Sequence, residues 1–224
     1  VNTKYHFQIC KQALSNAIAP AVIQTISWAN VFQDIGPGFF QPRFHFDGGQ
    51  ISAALQYIEN QRELAVSAVL KHNNPLAARR AFGRLLHCRQ DFYAHTNYVH
   101  LWAEQHPQLQ QAKPEQLPLC HNPLQQSGLI TCRTNLPIFL LYRMPWVGDW
   151  LRSWYLPADE HEAINLDHPK RGYLYTFAHS AAVRHTVWEW EQVCVRLQVA
   201  GEDAVRVFTG QKDISGKLGG VWVS

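Results

Sequence analysis

The sequence predicts a mainly α, single-domain helical bundle with long ordered loops, closing in a small hairpin or an extended tail. Apolar residues recur at helical spacing in several stretches, and prolines sit where helices start or stop. The connections near Pro37, Pro114 to Pro123 and Pro145 are interleaved with large apolar residues rather than Ser or Gly runs, so they read as ordered loops and not linkers. A chain of 224 residues is long enough for one sizeable core, and residues 1–224 are taken as one domain.

The first helix is expected over Tyr5 to Ala19, stopping before Pro20, and the second from Ala21 to about Gln33. DIGPGFFQPRFHFDGG is too rich in Gly and Pro for a helix interior or central strand. Ile51 to Leu70 reads as a longer amphipathic helix. Another starts near Pro75 and extends past His95 towards Trp102. From Gln105 to about Pro169 the pattern is mostly irregular, with one or two helical turns in YRMPWVGDWLRSWY. Helical periodicity returns from Leu174 to Gln198. Near the end, AVRVF and VWV have strand propensity.

The formal charge of +3, from 20 basic and 17 acidic side chains, is too mild to indicate a nucleic-acid binder. No run approaches the length and apolarity of a membrane-spanning helix. The start at Val1 fits a processed mature protein or a trimmed chain. The unusual feature is 12 His against only 17% charged residues, which asks for a use of imidazole. Cys120 and Cys132 flank a loop that a disulfide would staple, implying an oxidising, secreted or extracytoplasmic setting. Cys10, Cys88 and Cys194 fall in helical patterns and read as small buried hydrophobes.

His87, Asp91 and His95 are spaced four and four in LLHCRQDFYAHTNYVH, so one helix face carries all three as candidate metal ligands. The plainer alternative is an internal hydrogen bond for His87, an Arg89 or Arg84 partner for Asp91, and a partly exposed His95. His185 and Glu189 repeat the four-residue step on the late helix. Asp34 and His45 lie on the Gly- and Pro-containing connection, and His6 is near the start. Asp47 is open between a ligand, an acceptor holding an imidazole and a helix cap. Asn97 either orients a substrate oxygen or caps a turn. Asn165, Asp167 and His168 are candidates for a loop hydrogen-bonded to the ligand helices. His72, His106, His121 and His161 are assigned to the surface, and His100 and His179 to structural roles.

Taken together, HFD at His45 to Asp47, HxxxDFYAHTN at His87 to Asn97 and INLDHP at Ile164 to Pro169 resemble the zinc-dependent phospholipase C and fungal single-strand nuclease superfamily, nearest its heterokaryon-incompatibility (HET-C-like) branch. The resemblance implies up to three Zn2+ ions per chain. Asp34, His45, His87 and Asp91 would hold one, with Asp91 bridging to a second on His6 and the Val1 backbone. His95, His185 and Glu189 would hold the third. It further implies a phospholipase C-like phosphodiester hydrolase in which Asp34 and Asp91 serve a metal-activated water. Trp146, Trp150 and Trp154, with Arg143 and Arg152, are either a lip meeting a phospholipid head group or membrane surface, or an aromatic core segment. The alternatives are a nuclease for single-stranded nucleic acid, or a metal-stabilised interaction or toxin module without hydrolysis.

Overall fold

The computed structural model describes residues 1–133, 138, 141, 142 and 144–210. Its described helices are α1 Thr3–Leu14, α2 Pro20–Val31, α3 Ile51–Leu70, α4 Pro75–His95, α5 Tyr98–Glu104, α6 Val147–Trp154, α7 His161–Ile164, α8 Leu174–Gln198 and α9 Glu202–Thr209. Among the described residues there is no strand, only isolated bridges pairing Thr96 with Thr131 and Arg133 with Glu160. The chain is a mainly α, single-domain bundle, as the periodicity predicts. Among the described residues no helix is long and apolar enough to cross a membrane.

α4 is the central element, packed against α2, α3 and α8. Pro75 occupies its first turn, where a missing N–H costs nothing, and Asn74 Oδ1 accepts from the Ala77 N–H at 3.0 Å. Every residue of α4 from Leu85 to His95 is buried, so this helix carries its polar groups into the core. Gly83 lets α2 come close: a Cβ there would stand 2.3 Å from the Ile26 carbonyl oxygen and 2.8 Å from the Ala29 Cβ. Phe82, Leu85, Leu86 and Phe92 fill the surrounding core with Ile26, Ile58, Phe177, Val193 and Phe208.

Three boundaries depart from the expected ones. α1 ends at Leu14 rather than near Ala19. α4 stops at His95 because Thr96 is extended, its hydroxyl donating to the Phe92 carbonyl at 2.7 Å and accepting the Tyr98 N–H. The AVRVF segment is helical, not a strand. Glu202 and Asp203 favour its first turn, Arg79 donates to the Val207 and Phe208 carbonyls at its end, and Phe208 stacks on Trp190 with centroids 5.5 Å apart. VWV lies outside the described residues, as does Arg143.

The five cysteines are free, so the Cys120 to Cys132 bridge is not formed. Cys132 instead donates its N–H to the His95 carbonyl at 2.7 Å, and the loop is tied by backbone bonds.

Candidate metal centre

Two short steps of sequence bring the first cluster together. His87 and Asp91 are one turn apart on α4, while α1 lays His6 against them and the 3-10 turn Phe32–Asp34 that follows α2 brings in Asp34. His45 arrives from the connection after α2. Its neighbour Phe46 has φ 56, a strained conformation costing about 1–3 kcal/mol. Phe46 is fully buried against Phe92, with ring centroids 5.1 Å apart, which holds that turn in place.

Around Asp91 the separations are those of atoms sharing an ion. Asp91 Oδ2 is 3.0 Å from both His45 Nδ1 and His87 Nε2, and these two nitrogens are 2.9 Å apart. Asp91 Oδ1 is 3.3 Å from His6 Nε2, while Asp34 Oδ1 is 3.5 Å from His87 Nε2 and 3.9 Å from His45 Nδ1. Ligand atoms about 2.0–2.1 Å from a tetrahedral zinc lie roughly 3.3 Å from one another. His6, Asp34, His87 and Asp91 have the spacing to hold one metal ion.

The far sides of the rings fix their tautomers. Thr186 donates its hydroxyl to the Ala182 carbonyl at 2.8 Å, so its oxygen accepts the Gln90 amide N–H at 3.1 Å. That orientation presents Gln90 Oε1 to His6 Nδ1 at 2.7 Å and to the Asn30 amide N–H at 3.0 Å. Asn30 Oδ1 then faces His87 Nδ1 at 3.2 Å. Both imidazoles therefore donate from Nδ1 and turn a Nε2 lone pair inward. His45 does the reverse, donating from Nε2 to the Gly38 carbonyl at 3.2 Å. Three lone pairs and two carboxylates converge, and His6 Nε2 and Asp34 Oδ2 are buried with no hydrogen-bond partner. A cation satisfies that arrangement. Burial also pushes the His87 imidazole down to about 4 against the attraction of Asp91, which keeps it neutral and ready to ligate.

His95 joins a different group. Its Nε2 is 3.0 Å from Asp167 Oδ1, and Asp167 Oδ2 is 3.2 Å from His161 Nε2. These three residues also have the spacing for a metal ion. Asp47 Oδ1 lies 3.2 Å from His95 Nδ1, behind the ring. The Val1 nitrogen lies between the two groups, 2.6 Å from Asp91 Oδ1 and 2.9 Å from Asp167 Oδ1. His161 was expected on the surface; it is instead turned into this group.

His185 and Glu189 stand apart from both clusters. Glu189 is fully buried between two guanidinium groups, with Arg62 Nη2 at 2.7 Å and Arg89 Nη2 at 2.8 Å. His185 Nδ1 accepts from the Tyr93 hydroxyl at 2.8 Å. Burial holds His185 well below the ordinary imidazole range, and the positive charges of Arg89, Arg62 and Arg184 act in the same direction. A carboxylate already shared by two arginines is a structural ion cluster. Asn97 has both ends of its amide occupied, donating to the Gly128 carbonyl at 3.0 Å and accepting the Ile130 N–H at 2.8 Å. Trp146, Trp150 and Trp154 are exposed on α6 and its start.

Residues 3–133, more than half of the chain, match the family described as the VWA7 N-terminal domain. The chain belongs to that family. Over 93 residues it is 37% identical to the von Willebrand factor A domain-containing protein 7 of Mus musculus, covering 40% of this chain and 10% of that protein. The match thus spans about a tenth of the relative's length. No solved structure matches.

The family corrects the resemblance to zinc-dependent phospholipases C and single-strand nucleases, and with it the expectation of a phosphodiester hydrolase. Of the motifs behind that resemblance, only HxxxDFYAHTN is a ligand spacing on a helix, and such spacings are compatible with a metal ion without saying what the ion does.

Proposed function

We propose that this chain is a metal-stabilised helical interaction module, in which Zn2+ bound by His6, Asp34, His45, His87 and Asp91 fixes α1, the connection after α2 and α4 together and the exposed aromatic segment around α6 supplies a contact surface. The observation that carries this reading is the convergence of three imidazole lone pairs and two carboxylates in a buried cluster. Mixed imidazole and carboxylate ligands suit zinc. An ion held by residues from three segments contributes to the folded state alone, because those segments are apart in the unfolded chain. The family, described as the N-terminal domain of a longer protein that carries a von Willebrand factor A domain, supports a module that works beside other domains.

The partner that suits the exposed rings is a phospholipid membrane surface, met peripherally. Trp and Tyr favour the bilayer interface, where their rings meet acyl chains and their polar edges meet water.

Chelation tests the metal reading. Zinc present at about 1,000 times its dissociation constant stabilises the folded state by roughly 4 kcal/mol. At about 2–4 °C per kcal/mol for a domain of this size, removing it lowers Tm by roughly 10 °C. An unchanged Tm after metal is removed and verified by elemental analysis overturns the reading. So does metal-dependent turnover of a phosphodiester, which a module without hydrolysis does not show.

A further inference from the structure

His95, His161 and Asp167 come from the end of α4, the start of α7 and the loop after it. That loop is built to a fixed shape. The Leu166 N–H donates to the Ala94 carbonyl at 2.9 Å, which pins the loop to the last turn of α4. Arg171 reaches back to it three times: Nε to Asn165 Oδ1 at 2.9 Å, Nη1 to the Glu162 carbonyl at 2.9 Å and Nη2 to Glu162 Oε2 at 2.7 Å. Asn165 in turn donates from Nδ2 to the His161 carbonyl at 2.6 Å. His161 and Asp167 are thereby held at the two ends of one clamped turn, both facing His95.

The His95 ring is prepared from behind. Its Nδ1 lies 3.1 Å from the His45 carbonyl and donates there, which turns Nε2 towards Asp167 at 3.0 Å. Asp47 places a carboxylate oxygen 3.2 Å from the same Nδ1. The His95 and His161 rings meet at 76° with centroids 5.1 Å apart, which directs their near nitrogens towards a common point beside Asp167 instead of stacking them. All three ligand atoms lie within 4.8 Å of one another.

We propose that His95, His161 and Asp167 form a second divalent metal centre, separate from the first, that clamps the loop containing α7 onto the end of α4. Two imidazoles and one carboxylate favour zinc or a similar borderline ion, and the Val1 nitrogen stands beside them, 2.9 Å from Asp167 Oδ1 and 3.3 Å from His95 Nε2. His45 links the centres: its ring ligates the first ion while its carbonyl orients His95 for the second. This inference extends the reading of the chain as a metal-stabilised module, and the variants below separate the two.

The test is reloading of metal-stripped protein with Co2+, followed by visible absorption and by elemental analysis after gel filtration. The wild-type chain should retain two ions. His161→Gln and Asp167→Asn should each lose one ion and its absorption bands, while keeping the ion that His87→Ala loses. His161→Gln preserves side-chain volume at a partly exposed position, so circular dichroism should show an unchanged helix content. Wild-type protein retaining a single ion that only His87→Ala removes overturns the second centre and leaves the first intact. Unchanged cobalt content in both loop variants also overturns it. Wild-type protein that binds no cobalt overturns both readings.

Discussion

Gln90 decides which nitrogen of His6 faces the cluster, and through Asn30 it decides the same for His87. Its amide is oriented by Thr186 on α8, so a ligand tautomer on α1 depends on a hydroxyl from another helix. Gln90→Leu removes that acceptor while keeping a buried side chain of similar size. Zinc affinity should fall about 10- to 100-fold, with helix content unchanged, as measured by competition with a chromophoric chelator. An unaltered affinity would show that the tautomers are set by the ion alone. That these side chains would come together was legible because His87 and Asp91 repeat at four residues and His45 and Asp34 sit on a loop that cannot be helix interior. Gln90, Asn30 and Thr186 were not, since an amide in an apolar helix shows its role only once three helices cross. His185 and Glu189 carry the same four-residue signature, yet their partners are Arg62, Arg89 and Tyr93, so spacing alone does not distinguish a ligand pair from a buried ion cluster.

At the scale of elements, the close crossing of α2 and α4 sets the site. Gly83 is one turn before His87, and its missing side chain allows Ile26, Ala29 and Asn30 to approach α4. Gly83→Ala would gain helix propensity, worth about 1 kcal/mol on its own. The added Cβ meets backbone and an α2 side chain at distances that real contacts do not tolerate, so α2 must move. Overpacking of this kind costs about 1–3 kcal/mol. Urea unfolding of metal-free protein should show a net loss of stability, and zinc titration a weakened first centre because Asn30 leaves His87. Stability gained without loss of zinc would mean that the helices separate freely at this point. The sequence predicts α3 and α8 to the ends they have, Ile51–Leu70 and Leu174–Gln198, because turn residues bound a clear apolar period. α9 was misread since AVRVF taken alone favours a strand, whereas its acidic first turn and the cap from Arg79 act through neighbours in sequence and space. α7 escaped notice as four residues inside an irregular stretch, and with it the role of His161.

At the scale of the whole molecule, an exposed aromatic segment stands beside the buried polar clusters as a second feature. The His and Asp clusters lie inside the bundle, while α6 and the residues beside it expose Met144, Trp146, Trp150, Trp154, Tyr155 and Leu156. Trp146 is 88% and Trp154 81% exposed, and Trp150 stacks with Trp154 at 6.0 Å. The two charges of α6 are consumed locally: Arg152 pairs with Asp149 at 2.6 Å and donates to the Tyr142 carbonyl at 2.7 Å. Two rings one turn apart on α6 and a third just before its start, with the charges between them paired, suit an interface that takes indoles without a matching groove. Three such rings expose on the order of 500 Å² of aromatic surface, as much as the largest patch on a typical monomer. Each ring transferred out of water contributes about 1.5–3 kcal/mol when fully covered. Partial coverage at a bilayer surface still leaves roughly 1 kcal/mol per ring, or about a factor of five each. Trp150→Ala with Trp154→Ala should therefore weaken binding to phosphatidylcholine vesicles about 25-fold in a sedimentation assay, with zinc content and Tm unchanged. Equal vesicle binding by the double variant and the wild type would remove the membrane from the reading and leave the aromatic line as a surface for a protein partner.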